Sequence, residues 1–479
     1  MKKNVRNSYL IFLNILIIAY TLYISLSVFR EKVIVSDDLS KVYESKFISE
    51  SYFSYIYSFL DSTTMAARPV SGFVTGTLIF LSRHNESVYL LGLLFFPLSL
   101  IVMYWVIQKI ISTEMASLIT LLYSCSVIGT SIQFSSIMLN SNLATIFFLL
   151  SIYFIYVRQK VVISSLFFIA SILSYEIFLP LILLPLFLIK GNKKRIAFVV
   201  LTLVAVVIFR KIIQPSLFVN SYQRDEVDKI FELNRVAQIT VYAAKLFFKD
   251  IFVGIFKGIS NSKNLNVLEW ILALSISAGV FKVFSNYDFK TELQGFKRIN
   301  IISVIAILLG LSIFLFSSYI PTIFGFDNRN LGAIRFFYTL FIISGIIYLS
   351  VKIGLGSKMI SAFFAVIVFL LIVTNISVKN SWIYTGKFNH ELFSKLKTVL
   401  HENHIEKGEV CISFDMFNEL KNNPNFTLRE PVFYNNWESP MLCEMNGIDS
   451  KKIHVYNKER KTDCSLIFLY KNGKIVKAK

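Results

Sequence analysis

Charge is what this chain has least of. Only 16% of its 479 residues are Asp, Glu, Lys or Arg, against 55% hydrophobic, and the acidic sign is the scarcer one, 30 against 49. A soluble domain of this length does not carry so much apolar surface. With 46 Phe and a mean hydropathy of +0.61, the composition is that of a polytopic membrane protein. The net charge of +19 does not point to nucleic acid. Much of the Lys and Arg sits in short links between apolar runs, which is a topology signal and not a phosphate-tracking stripe. The five His are scattered, so no zinc or iron site is evident. Internal repeats, low-complexity tracts, a glycine-rich phosphate loop and a DxD-type motif are all missing.

The apolar runs set the order of the chain. Lys2, Lys3 and Arg6 precede a first run at 8–28 that is too long for a signal-peptide core and lacks a small-residue cleavage site, so it reads as a permanent span with its amino end in the cytoplasm. The loop at 29–86 then lies outside. Within it, 52–60 and 70–81 are too short to cross a ~30 Å hydrocarbon layer and suit helices in the outer interface. Further spans are expected at 87–108, 116–129 and 139–156, with Lys109 inside, Gln133-Phe134-Ser135-Ser136 outside, and Arg158 and Lys160 inside.

The block at 161–189 has basic clusters at both ends, so it goes out and returns. Its turning point is Leu173-Ser174-Tyr175-Glu176, followed by Pro180; the alternative is one long tilted span. After a span near 197–209 comes a long outer loop, 211–266. In it, 236–259 is amphipathic, with Phe247, Ile251 and Ile255 on one side and Lys245 and Lys249 on the other, a basic helix suited to lipid phosphate. Spans at 267–284, 299–316, 336–351 and 359–377 bring the count to about eleven and leave the carboxyl end outside.

The predicted organisation is therefore a membrane domain, 1–378, and a small α/β domain, 379–479. In the latter, 388–401 reads as an amphipathic helix, 408–414 as a strand, and 464–476 as a hairpin about Asn472-Gly473. Cys443 and Cys464 could pair in a periplasmic domain, with Cys411 a packed thiol in its strand; the chain could equally hold no disulfide.

Three features carry chemistry. Asp37 and Asp38 sit just beyond the first span, where carboxylates are costly to hold near lipid. They could divide the work of a proton acceptor and a substrate- or metal-holding group, or be no more than a solvated loop pair. Arg68, opening Arg68-Pro69, and Arg335 and Arg329, about the last outer loop, could hold phosphate; Arg68 and Arg335 equally suit interfacial anchors. Glu176, the sole charge within an apolar block, has a functional reading by default.

The order of first span, Ser36-Asp37-Asp38, interfacial Arg68-Pro69, a short helical pair turning at Ser174-Tyr175-Glu176, and a carboxyl-terminal outer domain resembles membrane glycosyltransferases of the GT-C fold. More closely, it is similar to the serotype-converting O-antigen glucosyltransferases of phages and enterobacteria. That resemblance implies a multi-pass protein of the bacterial inner membrane with a periplasmic site. It implies an undecaprenyl-phosphate sugar donor, made and flipped by partner proteins, and a lipid-linked O-antigen acceptor.

By the same resemblance, Asp37 or Asp38 is the base of a single inverting displacement. Arg68, with Arg335 or Arg329, stabilises the leaving polyprenyl phosphate, and Glu176 orients the sugar or helps bind an ion. Some relatives use a divalent cation and many do not. The competing readings are a flippase, which the lack of repeats and of charges within the spans disfavours, and an O-antigen polymerase or ligase, expected to centre on outer-loop cations.

Overall fold

In the computed structural model of the chain, residues 2–188, 191–220, 233–291, 293–414, 416–461, 463–464, 466–471 and 473–478 are described. The first helix, α1 (Lys2–Arg30), shows why the composition is so apolar. It buries Leu13, Ile17, Tyr20, Ile24 and Val28 at helical spacing while Ile11, Ile15, Ile18, Leu22 and Leu26 stay exposed. A helix apolar on both faces is stable only where its outer face meets lipid.

Three short helices follow: α2 (Asp37–Ser45), α3 (Tyr52–Ser62) and α4 (Pro69–Ser82). The last two match the expected interfacial segments, and they approach closely. A side chain at Gly72 would meet Leu60 and Met65, and one at Gly76 would meet Ile56 and Phe59.

The bundle continues with α5 (Phe95–Ile110), α6 (Thr113–Ser124), α7 (Ser131–Phe134), α8 (Leu139–Ile152), α9 (Val161–Ile172), α10 (Pro185–Leu188), α11 (Asn192–Ile208) and α12 (Gln214–Leu217). It closes with α13 (Leu233–Lys245), α14 (Ile251–Ser260), α15 (Val267–Phe284), α16 (Leu293–Leu311), α17 (Gly332–Lys352) and α18 (Ser357–Glu402). Among the described residues eight helical stretches are long and apolar enough to cross a membrane, and three apolar helices are shorter, Pro69–Ser82, Val161–Ile172 and Glu176–Leu188. The chain is a polytopic membrane protein. The block at 161–189 does turn at Ser174-Tyr175 and is not one long span.

Two departures from the sequence reading matter. The expected span at 116–129 stops at Ser124, and the chain then runs irregularly through Gly129 (φ +69) into α7, all of it buried. Irregular backbone at such depth persists only if its polar groups find partners. Gln133 Nε2 donates to the Ser124 carbonyl at 2.6 Å, Asn328 accepts from the Ser131 N–H at 2.9 Å, and Arg335 donates to the carbonyls of Tyr123 and Gly129. The Gln133-Phe134-Ser135-Ser136 link is accordingly packed inside the protein instead of facing water.

The second departure is α18, whose 46 residues span about 69 Å and pass position 378 without a break. Its final third forms the floor of the carboxyl-terminal domain, burying Leu392, Phe393, Leu396 and Leu400. That domain adds β1 (Gly408–Ser413), α19 (Met416–Asn422), α20 (Ser439–Met445), β2 (Ile453–Asn457), β3 (Leu466–Lys471) and β4 (Lys474–Lys477). The sheet order is β2-β1-β3-β4, with β1 parallel to both neighbours and β3–β4 the expected antiparallel hairpin. The cysteine expectation is corrected: Cys464 is bonded to Cys411, whose Cα lies 5.9 Å away, and Cys443 is a buried free thiol. The parallel pairing of β1 with β3 brings Cys411 beside the segment that carries Cys464.

Candidate functional site

The acidic pair sits at the start of α2, directly after Ser36, whose φ of 54 is an unfavourable region for a residue with a Cβ. The two carboxylates part company there. Asp38 is fully buried and accepts four hydrogen bonds, from Tyr89 Oη (2.9 Å), Ser135 Oγ (2.8 Å) and the backbone N–H groups of Ser136 (3.1 Å) and Ile137 (2.9 Å). Burial pushes its carboxyl up to about 6 while the hydrogen bonds pull the other way. Every accepting direction it has is taken by the protein, so Asp38 pins α2 onto the α7–α8 connection.

Asp37 keeps 30% of its side chain exposed and forms an ion pair with Arg329. Arg329 belongs to the short 3₁₀ turn Phe326–Leu331, and its guanidinium lies 4.2 Å from the Phe326 ring and 6.0 Å from that of Tyr319.

Arg68 and Glu176 meet beside them. The last residue before α4 sends Nε to Glu176 Oε2 at 2.6 Å, and its Nη2 pairs with Oε1, the two-pronged geometry that favours Arg over Lys. The local chain enforces this meeting: the Val70 N–H donates to the Leu173 carbonyl at 3.3 Å and Ser71 Oγ to the Ser174 carbonyl at 2.7 Å, stapling the first turn of α4 to the α9 turn. Between the two ion pairs stands Tyr175, its ring 4.6 Å from the Arg68 guanidinium and its hydroxyl donating to Asn330 Oδ1 at 2.8 Å. Arg68 and Arg329 feel one another's charge, and Arg210 of the turn after α11 lies in the field of both Glu176 and Arg68.

Of the residues singled out in the sequence, the structure thus gathers Asp37, Arg68, Glu176 and Arg329 into one half-exposed cluster. It leaves others elsewhere. Arg335 is wholly buried and donates to the carbonyls of Tyr123 (3.0 and 2.6 Å), Gly129 (2.7 Å) and Ser124 (3.3 Å), which makes it the clasp of the broken α6–α7 turn and not a phosphate ligand. Lys245 and Lys249 are exposed. The start of their helix is fixed to the Tyr319 loop through Arg235, which donates to the Ser317 carbonyl, and Lys245 lies ten residues, about 15 Å, further along.

A divalent cation does not fit the acidic pair. Asp37 is engaged by Arg329 and Asp38 by four donors, and among the described residues no three His, Cys, Asp or Glu side chains converge. Tyr175, Asn330, Tyr319 and Arg210 complete the cluster and went unread. Only Tyr175 had a signal, its place inside the Ser174-Tyr175-Glu176 turn.

The carboxyl-terminal domain closes over the same region. The 3₁₀ turn Asn436–Glu438 and α20 pack on α2, and Glu438, buried, feels the charge of Asp37. The site is therefore roofed by one domain and floored by the other, with Trp437 48% exposed next to Glu438. Chemically, the cluster offers a carboxylate able to take a proton and guanidinium groups able to receive a phosphate. No known protein family's profile matches the chain, and no curated protein matches it.

Proposed function

We propose that the chain is an inverting glycosyltransferase of the GT-C class. On this reading it moves a sugar, glucose by the resemblance drawn above, from undecaprenyl phosphate to a lipid-linked O-antigen on the periplasmic face of the bacterial inner membrane. The observation that carries the reading is the meeting of the Asp37–Arg329 and Arg68–Glu176 pairs across Tyr175 at one end of an apolar bundle. A half-exposed carboxylate beside two guanidiniums supplies both needs of the reaction. The acceptor hydroxyl gives its proton to Asp37, and its oxygen bonds to the anomeric carbon as the bond from that carbon to the phosphate oxygen breaks. The electron pair leaves with the polyprenyl phosphate, whose new charge Arg68 and Arg329 stabilise after exchanging their carboxylate partners for it.

The topology supports the same reading. Counting α6, α9 and the Glu176–Leu188 segment as short passages beside the eight long helices gives eleven, which leaves the carboxyl-terminal domain opposite a cytoplasmic amino end. A Cys411–Cys464 disulfide suits an oxidising periplasm.

The test is the mass of the O-antigen repeat in a bacterium with defined smooth lipopolysaccharide expressing this chain. One added hexose per repeat, lost in Asp37→Asn at equal membrane abundance, is the expected result. Transfer that survives Asp37→Asn overturns the site, and no added mass with altered chain export would favour a flippase.

A further inference from the structure

At the far end of the bundle from the carboxylate cluster lies a cavity of about 400 Å³. The geometry of two helices fixes its place. α5 begins after the segment whose Tyr89 bonds Asp38, and α8 begins after Ile137, which also bonds Asp38; the other ends of α5 and α8 and the start of α16 line the cavity's lower part, and Phe336, Phe337 and Leu340 of α17 its upper wall. From Ile137 to Ile152 is about 22 Å along the helix. The walls are apolar, among them Val106, Ile107, Leu149, Phe296, Phe337 and Leu340. Its exposed lining residues are Tyr156, Gly295 and Arg298.

Among the described residues no carboxylate lines it, whereas Arg298 does, and the exposed Lys109 and Lys297 are sequence neighbours of lining residues. An apolar slot with a cationic mouth between membrane helices complements a lipid whose head is anionic. We infer that this cavity binds an anionic phospholipid, one acyl chain between α5, α8 and α16 and the headgroup phosphate at Arg298. An acyl chain suits the volume better than a polyprenyl chain several times longer. The cationic mouth at Arg298 is at the start of α16, although the upper wall reaches Phe336 and Phe337 in the first turns of α17, seven and eight residues after Arg329. The inference does not rest on the proposed glycosyl transfer.

The test is native mass spectrometry of the purified full chain, exchanged into bilayer discs of equal phosphatidylglycerol and phosphatidylcholine with matched acyl chains. The wild-type chain is expected to retain one phosphatidylglycerol over phosphatidylcholine by about fivefold, the ratio given by ~1 kcal/mol for one cation at an anionic headgroup. Arg298→Gln should erase that preference. Gly295→Leu should lose both lipids by filling the mouth; a Cβ there meets nothing within 4 Å, and Leu is the better helix former, so the variant keeps its melting temperature. Equal retention of the two lipids by the wild-type chain, or unchanged phosphatidylglycerol in Gly295→Leu, overturns the proposal. Displacement of phosphatidylglycerol by an equimolar polyprenyl phosphate would also overturn it.

Discussion

Asp37 is held by Arg329, 292 positions further along the chain, while its neighbour Asp38 is enclosed by Tyr89 and the Ser135–Ile137 backbone. One pair of identical side chains thus splits into an accessible group and a structural one. The ion pair also joins the first loop to the last, so the cluster is assembled from segments that only the finished bundle brings together.

That split predicts opposite phenotypes. Asp37→Asn should lower sugar transfer by about 10²–10⁴, the range for loss of a general base, and leave the melting temperature of the purified protein nearly unchanged. Asp38→Asn places an amide where four donors converge, and a mispaired buried group costs roughly 1–3 kcal/mol. It should therefore melt lower and accumulate less, with activity per folded molecule largely kept. Reversed results would exchange the two roles.

Three arginines are separable in the same way. Arg68→Ala removes an ion pair whose partners are 22% and 33% exposed, so stability should change by no more than about 1 kcal/mol. Transfer should fall by about 10²–10³, as for loss of a charge-stabilising donor, and Arg329→Ala should behave alike. Arg335→Met instead removes the charged donor shared by the carbonyls of Tyr123, Ser124 and Gly129, leaving the broken α6–α7 turn to its weaker neutral hydrogen bonds. Its signature is a lowered melting temperature, measured by thermal unfolding in detergent.

The sequence carries more of this fold than of this site. Spans are legible because apolar runs between basic links are a one-dimensional signal, and the helical hairpin at 161–189 is legible because both its ends are basic. Asp37 and Asp38 are legible as a pair, but not which of them is buried; that depends on the turn at Ser36 and on a segment almost a hundred residues away. Arg68 and Arg335 look alike, each a cation opening an apolar stretch. What separates them is that α6 breaks at Ser124 and wraps its carbonyls around Arg335, a tertiary event with no local cue beyond Gly129. Cys411 lies in an apolar strand and pairs only because the sheet runs β2-β1-β3.

A second buried pair offers a stability test away from the cluster. Lys379 of α18 meets Glu269 of α15 at 2.6 Å with 3% and 2% of their side chains exposed, and Tyr23 donates to the same oxygen at 2.8 Å. Glu269 is also the reciprocal partner of Asn266 in the capping box of α15. Lys379→Met leaves the carboxylate without its counter-charge and should cost about 3–5 kcal/mol. Lys379→Met combined with Glu269→Gln, which keeps a capping side chain, should recover part of that loss. A double variant no more stable than the single one would show that the charge balance is not what matters there.

The roof of the site should make stability depend on pH. Burial pushes the carboxyls of Glu430 and Glu438 up from the ordinary 4.5 to about 7, although backbone N–H groups, those of Thr427 and Leu428 for one and Tyr434 for the other, partly oppose it. Between these values the folded chain holds protons that the unfolded chain has released. Unfolding therefore releases protons, and stability must fall as pH rises from about 4.5 to about 7, flattening above. Because Glu438 lies over α2 and Glu430 binds the Thr427–Leu428 turn that meets Gly325, the loss should fall on the contact between the two domains. Melting temperatures measured across this range should decline for the parent chain and decline less for Glu438→Gln, whose side chain cannot titrate. An identical slope in the variant would remove Glu438 from the account and leave Glu430, and Asp38 with its carboxyl pushed up to about 6, to be tested by the corresponding amide substitutions.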